Sequence, residues 1–304
     1  MITPLKFAGQ IKLWYTPDVN TISFGHVGLF ALFLLTACQP QQKESNPFFK
    51  APANESAKGI VNGTRVADKK GISQHIAALL IQRESGLEAC SSTLLSQNVV
   101  LTAGHCVGAV GNDKPAIAAS AITVVFSNDA GAAFQNQETS LLRKATKVSL
   151  HPSYTSQCPL QVAPCADLAI VEFEGAAPTG YLPIRWRDVQ ASAYSNLQTL
   201  KIAGFGQTSF QEPLAVALYE GDAHVLALVE ESAISIDQRF GAGGICHGDS
   251  GGPGYLNTKG EMTLLSVHSK VLNSARENGQ CKNRGLLLRL DAYLSWLQKL
   301  IPIH

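Results

Sequence analysis

The chain has 304 residues, 45% of them hydrophobic, which is enough to fill one large or two small cores. Charged residues make up 15% and the formal net charge is +1, so there is neither a basic surface for nucleic acid nor an acidic tail. Activity must therefore be sought in particular residues and their spacing.

The first element is a short apolar run from Val27 to Ala37 that ends in Leu35-Thr36-Ala37-Cys38. It is too short to cross a bilayer and suits the core of a signal peptide. A small residue before a Cys resembles the lipobox of bacterial lipoproteins. That resemblance implies removal of residues 1–37, lipid on Cys38, and export with a membrane anchor; the plainer alternative is an ordinary signal peptide beside a chance Cys. Lys6 and Lys12 supply positive charge, yet residues 1–23 are long for that role and carry Asp18, so a translation start downstream is expected. Gln39, in place of the Asp that favours inner-membrane retention in the better-known lipoproteins, leans the anchor toward the outer membrane. Residues 38–59 are rich in Gln, Pro and Ser with little apolar periodicity, and read as a flexible tether.

Short apolar or β-branched runs follow, punctuated by Gly, Asn, Asp and Pro: Ile76 to Ile81, Ser92 to Leu95, Val99 to Thr102, Ile122 to Phe126, Leu168 to Phe173, Leu200 to Ala203, His224 to Val229 and Met262 to Val267. Helical spacing arises at the end, where Leu290, Tyr293, Leu294, Leu297 and Ile301 recur at intervals of three and four. This predicts one amphipathic helix over 291–301. Many short strands in a chain of this size predict an all-β fold of two antiparallel barrels with a site between them.

Three segments in chain order carry the chemistry: Leu101-Thr102-Ala103-Gly104-His105-Cys106, Asp167-Leu168-Ala169-Ile170-Val171, and Gly248-Asp249-Ser250-Gly251-Gly252-Pro253. A serine hydroxyl is a poor nucleophile near neutral pH. It needs an imidazole to take its proton and a buried carboxylate to fix the tautomer of that imidazole. His105, Asp167 and Ser250 are the candidate base, orienting acid and nucleophile. A developing oxyanion needs backbone donors, and the N–H groups of Gly248 and Ser250 are the candidates. Taken singly, such segments are most often a packed core His, a strand-end or turn Asp and a glycine loop; taken together and in this order they point to catalysis.

In these segments the chain resembles the chymotrypsin and trypsin family of serine peptidases, from about Ile60 to the C-terminus. Ile60-Val61-Asn62-Gly63 is similar to the family's mature N-terminus, His151-Pro152-Ser153-Tyr154 to the stretch before its Asp, Ala203-Gly204-Phe205-Gly206 to a glycine-rich turn of its second barrel, and Tyr293-Leu294-Ser295-Trp296-Leu297 to its closing helix. The resemblance implies two six-stranded barrels, about 60–180 and 181–290, within one peptidase domain over 60–304. His105 and Asp167 would come from the first barrel and Ser250 from the second.

Setting Cys38 aside leaves an even number of cysteines, which suits an oxidising compartment, and no Cys-x-x-Cys pair suggests a metal; no cofactor is expected. The resemblance implies bridges Cys90–Cys106 and Cys246–Cys281, which leaves Cys158 with Cys165. It places Gly244 at the base of the primary pocket, where trypsin-like enzymes carry an Asp, so a preference for Lys or Arg is not expected. Gly244, Ile245 and His247 would form one wall with Cys246, Ser266, Val267 and His268 the other, and Gly285 would lie deeper. Ser266 matches the serine that bonds the acid of the triad. His268 stands where a Gly usually receives the substrate, and there it narrows the pocket, offers a cation to an acidic side chain, or faces solvent. The stretch from Ser269 to Gln280 is longer than its trypsin counterpart and would reshape the rim.

Family zymogens are cut before an Ile, and the new ammonium pairs with the acid beside the nucleophile, here Ile60 with Asp249. Gly59 precedes Ile60, so a trypsin-like activator would leave the wrong end without further trimming. The expected partners are protein or peptide substrates, an activating protease and, through Cys38, a membrane; the enzyme is expected to be a monomer. The alternatives are an esterase or amidase using the same three residues, and an inactive barrel pair serving as a surface binding protein.

Overall fold

The computed structural model describes residues 59–108, 116–155, 165–207, 216–239, 241–272 and 281–302. The expected leader, Cys38, the tether up to Lys58, Cys158 and most of the rim stretch before Gln280 lie outside them. Among the described residues there are thirteen strands: β1 (Thr64–Arg65), β2 (Ile76–Arg83), β3 (Gly86–Ser96), β4 (Val99–Thr102), β5 (Ile122–Val125), β6 (Leu142–Leu150), β7 (Ala169–Phe173), β8 (Thr199–Gly204), β9 (Tyr219–Val229), β10 (Ala233–Asp237), β11 (Pro253–Thr258), β12 (Glu261–Leu272) and β13 (Arg284–Arg289). Three short helices accompany them, α1 (Gly104–Val107), α2 (Ala130–Gln135) and α3 (Leu294–Leu300). Among the described residues, no helix is long and apolar enough to cross a membrane.

Strands β2, β3, β4, β7, β6 and β5 close in that order into an antiparallel barrel. The second barrel runs β9, β10, β13, β12, β11, β8 and closes because β8 pairs with β9 as well as β11. The two-barrel all-β fold is thus as expected. One boundary differs: β1 joins β9 with Thr64 opposite Glu220, so this piece of the N-terminal segment belongs to the second barrel.

The near-continuous apolar run of β2 reflects burial on both faces. Its alternate residues Ala77, Leu79 and Ile81 point into the first barrel, where they meet Leu94, Val100, Val124 and Phe173. Ile76, Ala78 and Leu80 belong to a different apolar cluster, which extends through Leu101 and Ile170 to Ile202, Ile234 and Leu287 of the second barrel. The period-two pattern therefore fills one barrel and docks it on the other.

The C-terminal segment starts as a 3-10 turn at Asp291–Tyr293 before α3, a tighter entry than the single helix expected. Leu290, Tyr293, Leu297 and Ile301 are buried, as their spacing predicts. The His151 ring meets Tyr293 and Trp296 edge-on at 5.3 and 4.9 Å, joining the segment before Asp167 to the closing helix.

Candidate active site

His105 sits on α1, a four-residue turn that leaves β4 and is too short to sustain itself. Two supports hold it. Cys106 is bonded to Cys90 on β3, and Arg83 at the end of β2 donates to the carbonyls of His105, Cys106 and Gly108 at 3.3, 2.7 and 3.2 Å. Asp167, immediately ahead of the run into β7, is buried. Its Oδ1 accepts the backbone N–H of His105 at 2.8 Å, and its Oδ2 faces His105 Nδ1 at 2.8 Å. An ionised carboxylate only accepts, so Nδ1 carries the proton and the neutral ring keeps Nε2 as an acceptor.

Burial alone would depress the His105 imidazole, but the charge of Asp167 and its hydrogen bond outweigh burial and leave the pKa above the ordinary 6.5. For Asp167, burial pushes upward, while His105 and the hydrogen bonds from His105 and Ser269 pull the carboxyl below its usual range. The acid stays charged and the base stays proton-hungry.

Ser250 lines the same cleft as His105 and Asp167, a space of about 290 Å³ also bounded by Tyr154, Ile245, His247, Lys270 and Val271. Its loop turns at Gly248, whose φ of +90° an L side chain would resist. Within the loop, the N–H groups of Asp249, Gly251 and Gly252 bond to Cys246, His268 and Asp249 carbonyls. Those of Gly248 and Ser250 meet no acceptor among the described residues. Two backbone donors at and beside Ser250 are thus left unengaged, and such donors are what an oxyanion hole requires.

The Asp249 carboxyl is fully buried and pushed up to about 7 by that burial, against the opposing pull of backbone N–H bonds from Cys246 and Gly206 at 2.8 and 2.9 Å. No cation pairs with it among the described residues. Ile60 is fully buried, and Val61 pairs with Gly244 on the same loop, N–H to carbonyl in both directions at 2.8 and 3.1 Å.

The second wall of the pocket departs from expectation. Ser266 does not reach Asp167; its hydroxyl is buried with no partner among the described residues. The serine that donates to Asp167 Oδ2, at 2.6 Å, is Ser269. Val267 and His268 are likewise buried and absent from the cleft, whose wall is Ser269, Lys270 and Val271. The cause is an irregularity in β12: Leu287 and Leu286 of β13 face His268 and Lys270, so Ser269 is an extra residue bulged toward the site. His268, rather than offering a cation to substrate, is pushed down to about 3 by burial, and its Nδ1 lies 3.1 Å from the Asp249 carbonyl. Gly244 and Gly285 do not line the cleft, while Ile245 and His247 do. Cys246 is bonded to Cys281 as expected.

Several contributors carry no sequence signal of their own. Ser91, buried on β3, donates from its hydroxyl to the Gly248 carbonyl at 2.9 Å and accepts the Phe205 N–H at 2.9 Å. Arg83, Lys270 and Gln238 are similar cases, isolated polar residues whose partners lie far along the chain.

The fold and this cleft define a chymotrypsin-like two-barrel protein. The Trypsin family description matches residues 60–297, and the chain belongs to that family of serine-type peptidases. The chain is similar to chymotrypsin-like elastase family member 1 of Bos taurus, with 26% identity over 260 residues, covering 80% of this chain and 89% of the relative. It is also similar to a trypsin of Saccharopolyspora erythraea, 26% identical over 245 residues, covering 76% and 94%. An uncharacterized peptidase of Corynebacterium glutamicum (strain R) is 24% identical over 265 residues, covering 84% and 77%.

Two outcomes follow from this geometry. In an NMR titration the His105 ring is expected to lose its proton above pH 6.5; Asp167→Asn should lower that value and Lys270→Met raise it, because Lys270 opposes the imidazolium. A His105 midpoint at or below 6.5 in the intact protein would contradict the balance described. Ser91→Ala should lower the unfolding free energy in urea by about 1–3 kcal/mol, because the Gly248 carbonyl and the Phe205 N–H both lose a buried partner. A change within about 0.5 kcal/mol would show that the bridge contributes nothing.

Proposed function

We propose that this chain is an exported, lipid-anchored serine endopeptidase that hydrolyses peptide bonds through an acyl-enzyme on Ser250. The supporting observation is the lining of one cleft by Ser250 and the His105–Asp167 pair, beside two unengaged N–H groups. In this reading Ser250 Oγ attacks the substrate carbonyl carbon while His105 Nε2 takes its proton. The carbonyl oxygen becomes an oxyanion held by the N–H groups of Gly248 and Ser250, a contribution of about 3–4 kcal/mol per donor in comparable sites. Collapse breaks the C–N bond, and the imidazolium returns the proton to the departing amine. Water then repeats the sequence on the ester, with His105 as base, and frees the acid and Ser250. Asp167 remains ionised throughout and stabilises the imidazolium. Ser269 holds Asp167 in place.

The anchoring part rests on the sequence alone. Residues 1–37 act as the signal peptide, Cys38 carries lipid, 38–59 form the tether and 60–304 the peptidase domain. Activation follows from the buried Asp249 and the seating of Ile60 and Val61 against its loop. An ammonium freed on Ile60 by a protease cutting after Gly59 would keep Asp249 charged and order the oxyanion donors. The same cut severs the tether, and none of the remaining cysteines lies between Gln39 and Gly59 to hold the pieces together.

A fluorophosphonate should label the protein on Ser250, with Ser250→Ala abolishing labelling and His105→Ala removing nearly all turnover without unfolding the domain. Digestion of a denatured protein substrate then separates a peptidase from an esterase. Absence of labelling in the form that begins at Ile60 would favour the binding-protein alternative. For activation, membrane and soluble fractions should differ in their first residue, Cys38 against Ile60, and only the soluble form should be fully active. A fully active form beginning at Cys38 would refute the coupling.

A further inference from the structure

The residues that the family resemblance places at the base of the primary pocket are not open to the cleft. The cleft is bounded on this side by Ile245, Cys246 and Val271, and Gly244 and Gly285 lie behind. Packed against both glycines is Gln238, one residue beyond β10 and only 2% exposed. Its amide nitrogen donates to the carbonyls of Ile245 at 3.0 Å and Cys281 at 2.7 Å, and its oxygen accepts the Ile245 N–H at 3.1 Å. Its own backbone N–H is tied to Asn283 O at 3.0 Å. One amide thus bridges the two walls that the Cys246–Cys281 disulfide also joins.

The glycines corroborate this placement. A Cβ on Gly244 would stand 2.6 Å from Gln238 Cδ, and one on Gly285 would collide with Gln238 Oε1. Their missing side chains make room for the amide and leave none for a substrate.

We infer that Gln238 floors the primary pocket and restricts the enzyme to small uncharged side chains, of the size of Ala or Val, at the residue whose carbonyl is attacked. Both amide protons of Gln238 are engaged, so it offers a substrate no free donor. On the side of Gln238 the cleft is walled by Ile245, Cys246 and Val271, and a charged side chain directed against them would be desolvated. A longer side chain could enter only by breaking three buried hydrogen bonds at once.

The inference rests on the peptidase reading, and its test separates the two. The probes are peptide substrates of one scaffold that differ at the residue supplying the attacked carbonyl: Ala, Val, Leu, Phe, Lys and Glu. For the wild type, kcat/KM for Ala or Val should exceed that for Phe and Lys by about tenfold or more, the scale on which pocket size discriminates. Gln238→Ala should raise the ratio of Phe to Ala by a similar factor, whereas Gln238→Met, which keeps the length of the side chain, should not. Fluorophosphonate labelling is run on every protein. If Gln238→Ala no longer labels, its site is lost, and the wild-type profile with Gln238→Met decides. A labelled wild type that prefers Phe or Lys, or a labelled Gln238→Ala with an unchanged profile, would overturn the role of Gln238. Absence of labelling in wild-type protein that begins at Ile60 would overturn the peptidase reading itself.

Discussion

The hydroxyl of Ser91 lies where the two barrels must agree. From β3 of the first barrel it holds the Gly248 carbonyl and the Phe205 N–H of the second, while its backbone N–H donates to Ser250 O at 2.8 Å and its carbonyl accepts Thr102 Oγ1 at 2.8 Å. Four polar groups, three from the second barrel and one from the end of β4, thus converge on Ser91. His105 and Asp167 belong to one barrel and Ser250 to the other, so their separation is set by the contact between barrels. An apolar interface alone is tolerant of sliding. Buried hydrogen bonds are not, because a shift of register leaves donors and acceptors without partners.

The same constraint explains the crowding around Asp249. Its carboxyl takes N–H groups from Gly206 and Cys246, and a Cβ on either Gly204 or Gly206 would strike it. The glycine-rich turn Ala203-Gly204-Phe205-Gly206 is therefore a consequence of where that carboxyl is buried. On the far side, His268 and the Gly252 N–H both meet the Asp249 carbonyl, at 3.1 and 2.9 Å. That carbonyl belongs to the peptide unit whose N–H is the Ser250 donor. Fixing one end of a planar peptide aims the other.

Much of this was legible in the sequence where a residue type does chemistry or breaks a pattern. Val99 to Thr102 matches β4 residue for residue, and the spacing at 290, 293, 297 and 301 marks the buried face of the last helix. The strands without an apolar run are harder to see. Arg143, Lys144 and Lys147 interrupt β6, of whose side chains only that of Ala145 is fully buried, and β11 opens on Pro253-Gly254, which reads as a turn. In the site, Ser266 and Ser269 are alike as residue types. Ser269 is the residue bulged out of register with β13, whereas Ser266 stays paired with Arg289, and a bulge has no composition of its own. Ser91, Arg83 and Gln238 are single polar residues in otherwise ordinary stretches. Their roles are defined by partners as far away as 157 positions, for Ser91.

The run from Gln238 to Ser250 binds the parts of the site into one unit. Gln238 holds Ile245 by both its N–H and its carbonyl; the next residue, Cys246, donates its N–H to Asp249; and Asp249 precedes the nucleophile. Gln238, the Asp249 carboxyl and the backbone of Ser250 are therefore linked by three hydrogen bonds and the intervening peptide bonds within one short loop. A group that displaced Gln238 would release Ile245, shift the donor on Cys246 and leave the Asp249 carboxyl less well solvated. On the inference drawn for Gln238, pocket depth and oxyanion geometry are not independent in this chain. A substrate that fits the shallow pocket leaves the donors where the fold has set them, and one that does not fit is disfavoured twice, by lost contact and by loosened donors.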